Sequence, residues 1–127
     1  MARTTFTPSE IAYLDSQMLG RIATVDRDGA PRVVPTGFRY NPDTGTIDLG
    51  GLDLARTRRF ADVQANPQVA IVIDDLASTN PWQARSVRVR GTAEVFESGG
   101  EQIHPSLGAA WMRITPTAIS SAGIDDS

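Results

Sequence analysis

The sequence predicts a mainly β domain: a small antiparallel barrel of about six short strands with two to three short helices, a fold that removes its own edges. Three observations lead there. Short apolar runs are punctuated by glycine, proline and aspartate turn signals from Arg21 onward. The run from Ser86 to Glu97 alternates strictly, with Val87, Val89, Gly91, Ala93 and Val95 on one face and Arg88, Arg90, Thr92 and Glu94 on the other. The order strand, strand, glycine pair, basic helix, strand comes without a catalytic triad or a metal motif, which points to a barrel that binds a cofactor.

The elements follow in order. Thr7-Pro8-Ser9-Glu10 is a capping box with proline at the first helical position. Ile11, Leu14 and Met18 recur at helical spacing, and Gly20 is the expected stop. Arg21 to Val25 reads as a strand leading into the hairpin turn Asp26-Arg27-Asp28-Gly29. Arg32 to Tyr40 is the second strand. Pro35 inside it requires an edge or a bulge, because proline cannot donate to a ladder. Asn41 to Gly45 is a turn cluster, and Thr46 to Leu49 is a strand closed by Gly50-Gly51.

A second helix is expected from about Leu54 to Ala65, with Asp53 as N-cap and Asn66-Pro67 as its end. Val69 to Asp74 is nearly continuously apolar, as in a strand covered on both faces. Ser78 to Gln83 is expected as a polar loop carrying Trp82. Ser98-Gly99-Gly100 turns the chain, and a last strand is expected at Trp111 to Ile114, resuming near Ile119.

The 127 residues form a single domain with one core. The net charge of −3 argues against nucleic acid as partner. No apolar run approaches the roughly 20 residues that cross a membrane, and a cytoplasmic location is the default expectation. Cysteine is absent, which excludes disulfides, thiol catalysis and thiolate metal sites. All twelve basic residues are arginine, so Schiff-base chemistry is excluded and anions must be held by arginine or backbone amides.

Arg56-Thr57-Arg58-Arg59 stands out. Cations are mildly repelled by a helix N-terminus, by roughly 0.3–1 kcal/mol each, so a cluster there suits a bound anion. The plain alternative is a solvated charged face. Gly50-Gly51 reads as a turn or as a close approach of backbone to a ligand. Trp82 either packs under its loop or covers a flat ligand. His104, beside Pro105, reads first as a surface residue, although it is the default acid–base candidate. Asp74-Asp75 reads as a strand-end turn, since no further ligand stands at metal spacing. No catalytic residue and no metal ligand emerges.

Taken together, Phe6 to Ala12, Leu19 to Val25, Val33 to Tyr40, Thr46 to Gly51, Phe60 to Pro67, Val69 to Leu76, Pro81-Trp82 and Val87 to Glu94 carry a resemblance. In order and spacing the chain resembles the pyridoxamine-5′-phosphate-oxidase-like split β-barrel proteins, the FMN-binding split-barrel type. More narrowly it resembles the actinobacterial oxidoreductases that depend on the deazaflavin coenzyme F-420.

The resemblance implies a homodimer with the cofactor in grooves at the subunit interface. It implies that Arg59, with Arg58 and Thr57 beside it, grips the cofactor phosphate, where relatives often carry lysine. It also implies that the backbone of Val34, Pro35 and Thr36 lines the tricyclic ring, and that Trp82 reaches ring or substrate, from the other subunit if need be. Thr115 to Gly123 departs from the pattern, having neither the arginine nor the tryptophan of close relatives. The segment from 98 to 127 is therefore the divergent part.

The expected function is a coenzyme F-420-dependent reductase that passes a hydride to a small conjugated acceptor. The alternatives are an FMN-dependent oxidase or reductase of the same fold, or a non-catalytic carrier of a flavin, deazaflavin or haem-like ligand.

Overall fold

The computed structural model describes residues 2–124. In chain order the elements are α1 (Pro8–Asp15), β1 (Leu19–Val25), β2 (Pro31–Gly37), β3 (Arg39–Asn41), β4 (Thr46–Gly50), a 3-10 turn (Leu54–Arg56), α2 (Arg58–Ala65), β5 (Gln68–Thr79), β6 (Trp82–Phe96), a second 3-10 turn (Gly100–Gln102) and β7 (Trp111–Ala122). The strands form one antiparallel sheet in the order β2-β1-β5-β6-β7-β4-β3.

There are seven strands where about six were expected, and the reason is local. The expected strand Arg32 to Tyr40 breaks at Phe38. Its first half stays beside β1, and its second half, β3, crosses to the opposite edge beside β4. The sheet therefore curls until β2 lies close to β4 without pairing with it. That gap is the split in the barrel. Pro35 sits in an edge strand, as its missing donor demands.

The barrel interior holds Ile22, Ile47, Leu49, Ile71, Ile73, Val87, Val89, Met112 and Ile114, all essentially without solvent exposure. Burying each such side chain contributes about 1.5–3 kcal/mol. Helix α1 covers one opening. Its capping box is present as read: the Glu10 amide donates to Thr7 Oγ1 at 3.2 Å, and the Thr7 amide donates to Glu10 Oε1 at 2.9 Å.

Other expectations need correction. Helix α1 stops at Asp15 and never reaches Met18, which is 84% exposed. Gly20 does not stop a helix; it lies in β1, where a β-carbon would stand 3.0 Å from both Ile73 Cγ1 and the Val72 carbonyl oxygen. Asp53 does not cap the second helix. The chain first makes the 3-10 turn, and Thr57 becomes the cap of α2.

The expected polar loop Ser78 to Gln83 is the tip of a long hairpin, with Thr79 opposite Trp82. Asp74 and Asp75 lie inside β5 rather than at its end. Strand β7 runs unbroken because a bulge between Pro116 and Ala118, opposite Arg90 and Gly91, absorbs the irregularity. Finally, β5 is buried on one face only. Val69, Ile71 and Ile73 point inward, while Ala70 and Val72 are half-buried on the outer face. No described helix is long and apolar enough to cross a membrane.

Candidate functional site

The arginine cluster is set by what happens after β4. Gly50 ends the strand, and buried Leu54 anchors the 3-10 turn that follows. The Thr57 hydroxyl donates to the Leu54 carbonyl oxygen at 2.7 Å and accepts from the Phe60 amide at 3.3 Å. Thr57 is therefore engaged as an N-cap. The cap puts Arg58 and Arg59 at the first two positions of α2, where free amides and the helix dipole favour an anion. Arg56 falls outside the helix and pairs at 3.6 Å with Asp53, both well exposed.

Arg59 is the informative member. Its side chain lies against the glycine pair, with Nη2 3.8 Å from where a Gly51 β-carbon would stand. Its Nε is buried and has no hydrogen-bond partner. Burial pulls the guanidinium pKa below its ordinary value, yet the group stays charged near neutral pH. Leaving a buried donor unsatisfied costs about 1–3 kcal/mol, more when it is charged. A phosphate or carboxylate beside Arg59 removes that cost. This is the test of fit for an anionic cofactor, and the residues present meet it.

Beneath α2 a polar network ties the helix to the split. Asp62, on the inner face of α2, accepts from the Thr24 hydroxyl at 2.7 Å and from Arg32 Nε at 2.9 Å. Burial alone would raise its pKa, but the bonds from Arg32 and Thr24 and the charges of Arg32 and Arg58 outweigh it and hold the carboxyl below its usual range. Arg32 belongs to β2, so the arginine cluster and the edge strand are held in one frame.

On that strand Val34 faces inward onto the core, opposite Ile22. Thr36 is buried and donates to the Gly37 carbonyl oxygen at 2.9 Å. Pro35 points to the outer face opposite Arg21.

Gly50 belongs to a different contact. A β-carbon there would strike Leu107 Cδ1, and the Gly108 amide donates to the Gly51 carbonyl oxygen at 2.9 Å. Gly50 thus admits the chain's own loop. Gly50 lines a groove of about 460 Å³ with Met18, Phe38, His104 and Leu107.

Trp82 is not part of this assembly. Helix α2 leads into one end of the β5–β6 ribbon, and Trp82, 69% exposed, lies at the other. Up to roughly 36 Å of extended strand separates Trp82 from Ala93, which bonds to the Pro67 carbonyl just after α2. A single chain does not bring Trp82 to the arginines.

The outer face of the sheet, which the two-sided reading of Val69 to Asp74 expects to be covered, is only half-buried within the single chain. Two rows cross it: Val33, Ala23, Ala70, Arg90 and Ala118 in one, and Pro35, Arg21, Val72, Arg88 and Ser120 in the other. All of them but Pro35 line a concave, largely apolar hollow of about 460 Å³. The available signal was the recurrence of small residues at outward positions of three strands. It emerges only once the register is known. Asp74 pairs with Arg21, and Asp75 takes a bidentate bond from Arg85, so both carboxylates are engaged.

Comparison with known proteins agrees with this architecture. Residues 7–122 match the family model described as pyridoxamine 5′-phosphate oxidase. A Streptomyces rimosus protein named 5a,11a-dehydrotetracycline/5a,11a-dehydrooxytetracycline reductase is 39% identical over 120 residues, covering 94% of this chain and 84% of that protein. The crystal structure of a conserved hypothetical protein from Mycobacterium tuberculosis superposes with a TM-score of 0.72 at 17% identity, covering 97% of this chain and 88% of that one. The structure of an FAD-binding protein from Mycobacterium smegmatis gives 0.69 at 25% identity, covering 94% and 97%.

Proposed function

This chain belongs to the pyridoxamine 5′-phosphate oxidase family, and on that premise we propose that it is a reductase that works with the deazaflavin coenzyme F-420. The observation that carries the reading is Arg59, half-buried at the start of α2 with an unsatisfied buried Nε. Arg58 adds an exposed second charge whose field reaches Asp62. Two arginines at one helix start suit an anionic group, and the phosphodiester and acidic tail of the deazaflavin supply one. When bound, the cofactor supplies the hydride. The chain's own residues bind, orient and exclude water: Arg58 and Arg59 hold the anionic end, and the β2 backbone from Val34 to Thr36 flanks the ring. The name of the Streptomyces rimosus relative supports a flat, conjugated polycyclic acceptor.

A second reading, a flavin nucleotide in the same groove, draws on the name of the Mycobacterium smegmatis neighbour. Equilibrium titration of the purified protein with coenzyme F-420, FMN and FAD separates the two. Tighter binding of either flavin overturns the deazaflavin reading. Single-turnover oxidation of bound reduced F-420 by a panel of quinones and conjugated polycyclic ketones then tests the reductase. Tight cofactor binding without turnover leaves a carrier in place of an enzyme.

A further inference from the structure

We infer that the groove lined by Met18, Phe38, Ile103, Leu107 and His104 is the subsite for the acceptor, a flat uncharged conjugated carbonyl compound, and that His104 donates a hydrogen bond from Nε2 to its carbonyl oxygen. The inference rests on the reductase reading and extends it to a second site.

The groove opens where the α1–β1 corner, the β2–β3 break and the loop before β7 meet. Its volume of about 460 Å³ suits a molecule of several fused rings. No carboxylate lines it, so an oxygen carrying partial or developing negative charge is not repelled. Gly37 and Phe38 in its wall directly follow Val34 to Thr36, the stretch read as flanking the ring, so the groove continues from the ring's edge strand. Met18 is 84% exposed at its rim, an apolar and adaptable side chain that no packing within the chain accounts for.

His104 is held in one tautomer. The Ser106 amide, which can only donate, points at Nδ1 from 3.2 Å, and Ser106 Oγ lies 2.7 Å from the same nitrogen. Nδ1 must accept, so in the neutral ring the proton sits on Nε2. A neutral imidazole in that state is a donor able to polarise a carbonyl. Arg39, also in the wall, donates to the Gln102 carbonyl oxygen at 3.4 Å.

His104 is the only histidine, which makes it its own probe in untagged protein. Long-range ¹H–¹⁵N spectra of the cofactor-free protein are expected to show Nδ1 unprotonated and Nε2 protonated. Addition of menadione, a two-ring quinone without an anionic group, should shift both signals along a saturable curve. By calorimetry, His104→Phe should bind menadione about 3- to 10-fold more weakly, the size of one neutral hydrogen bond. His104→Gln, which keeps a donor, should stay within about 2-fold of the parent. Leu107→Asp, checked for its fold by circular dichroism, should abolish binding. Histidine signals unmoved at high menadione, or parental affinity in His104→Phe, overturn the subsite. A parallel F-420 titration separates the two ideas: normal cofactor affinity with an unmoved histidine removes the subsite alone. A shifted histidine without cofactor binding removes the reductase reading and, with it, the acceptor role of the groove, leaving a site that binds conjugated carbonyl compounds.

Discussion

The guanidinium of Arg59 lies across Gly51, with Nη2 3.8 Å from the position a β-carbon would take and Nε buried without a partner. The two are in ordinary van der Waals contact, and the arginine is left with an unsatisfied donor. Such a group is a cost to the folded chain that a bound anion reverses.

Arg59→Met should therefore separate stability from binding. The apo protein should be as stable as the parent or slightly more so, because an unsatisfied buried donor is replaced by apolar surface. Affinity for the cofactor should fall by about 10- to 150-fold, the loss of roughly 1.5–3 kcal/mol for hydrogen bonds to a charged group. Arg58→Ala should cost less, and Arg27→Ala, in the β1–β2 turn, should cost nothing. Thermal melts and cofactor titrations of the three variants check this.

Thr57 acts through the helix it caps. Thr57→Val removes the oxygen that the Phe60 amide uses and should destabilise the protein by about 1 kcal/mol, with a range of about 0.5–2. Thr57→Ser should recover most of it in urea denaturation.

Glu10 governs acid sensitivity. Burial alone would raise its pKa, but the Arg3 fork, the Ser121 hydroxyl and the Thr7 amide outweigh it and bring the carboxyl to about 2. A carboxyl whose folded pKa is depressed stabilises the fold above its unfolded value of 4.5, and that stability is lost as pH falls towards about 2. Asp62 and Asp75, also held low by arginines, act in the same direction. Urea midpoints measured from pH 6 down to pH 2 should fall less steeply for Glu10→Gln than for the parent.

Gly91 is needed for its missing side chain. In β6, opposite the β7 bulge, a β-carbon would strike the Thr115 carbonyl oxygen and press on Ile114. The oxygen is backbone in a paired strand and Ile114 is fully buried, so neither can swing away. Gly91→Ala should destabilise by about 1–3 kcal/mol, as overpacking does, with the circular dichroism spectrum of the remaining native protein unchanged.

The two outer rows are the surface on which we expect a second copy of the chain to pack. We expect light scattering to give twice the 13.6 kDa chain mass at micromolar concentration. Ala70→Glu, which sets a charge at the centre of that face, should shift the protein to monomer. A parent that scatters as a monomer would remove this expectation.

The sequence by itself determined the class of fold, the α1 capping box, the Asp26–Gly29 turn, the edge position of Pro35 and the inward face of β6. Each is a local matter of backbone donors, φ angles or period-2 alternation, and neighbours in sequence suffice to settle it. The arginine cluster was legible for the same reason.

Only the tertiary structure decided the rest. The break at Phe38 sends β3 to the far edge, because closure of the curled sheet, not the apolar pattern of Arg32 to Tyr40, decides where a strand pairs. Thr57 displaces Asp53 as the helix cap because Leu54 has to be buried first. Which arginine is stranded, which glycine receives it, and that His104 meets Met18 and Phe38 in one groove all depend on approaches between residues far apart in the chain. Such contacts are fixed by packing and register, and neither leaves a period in the sequence.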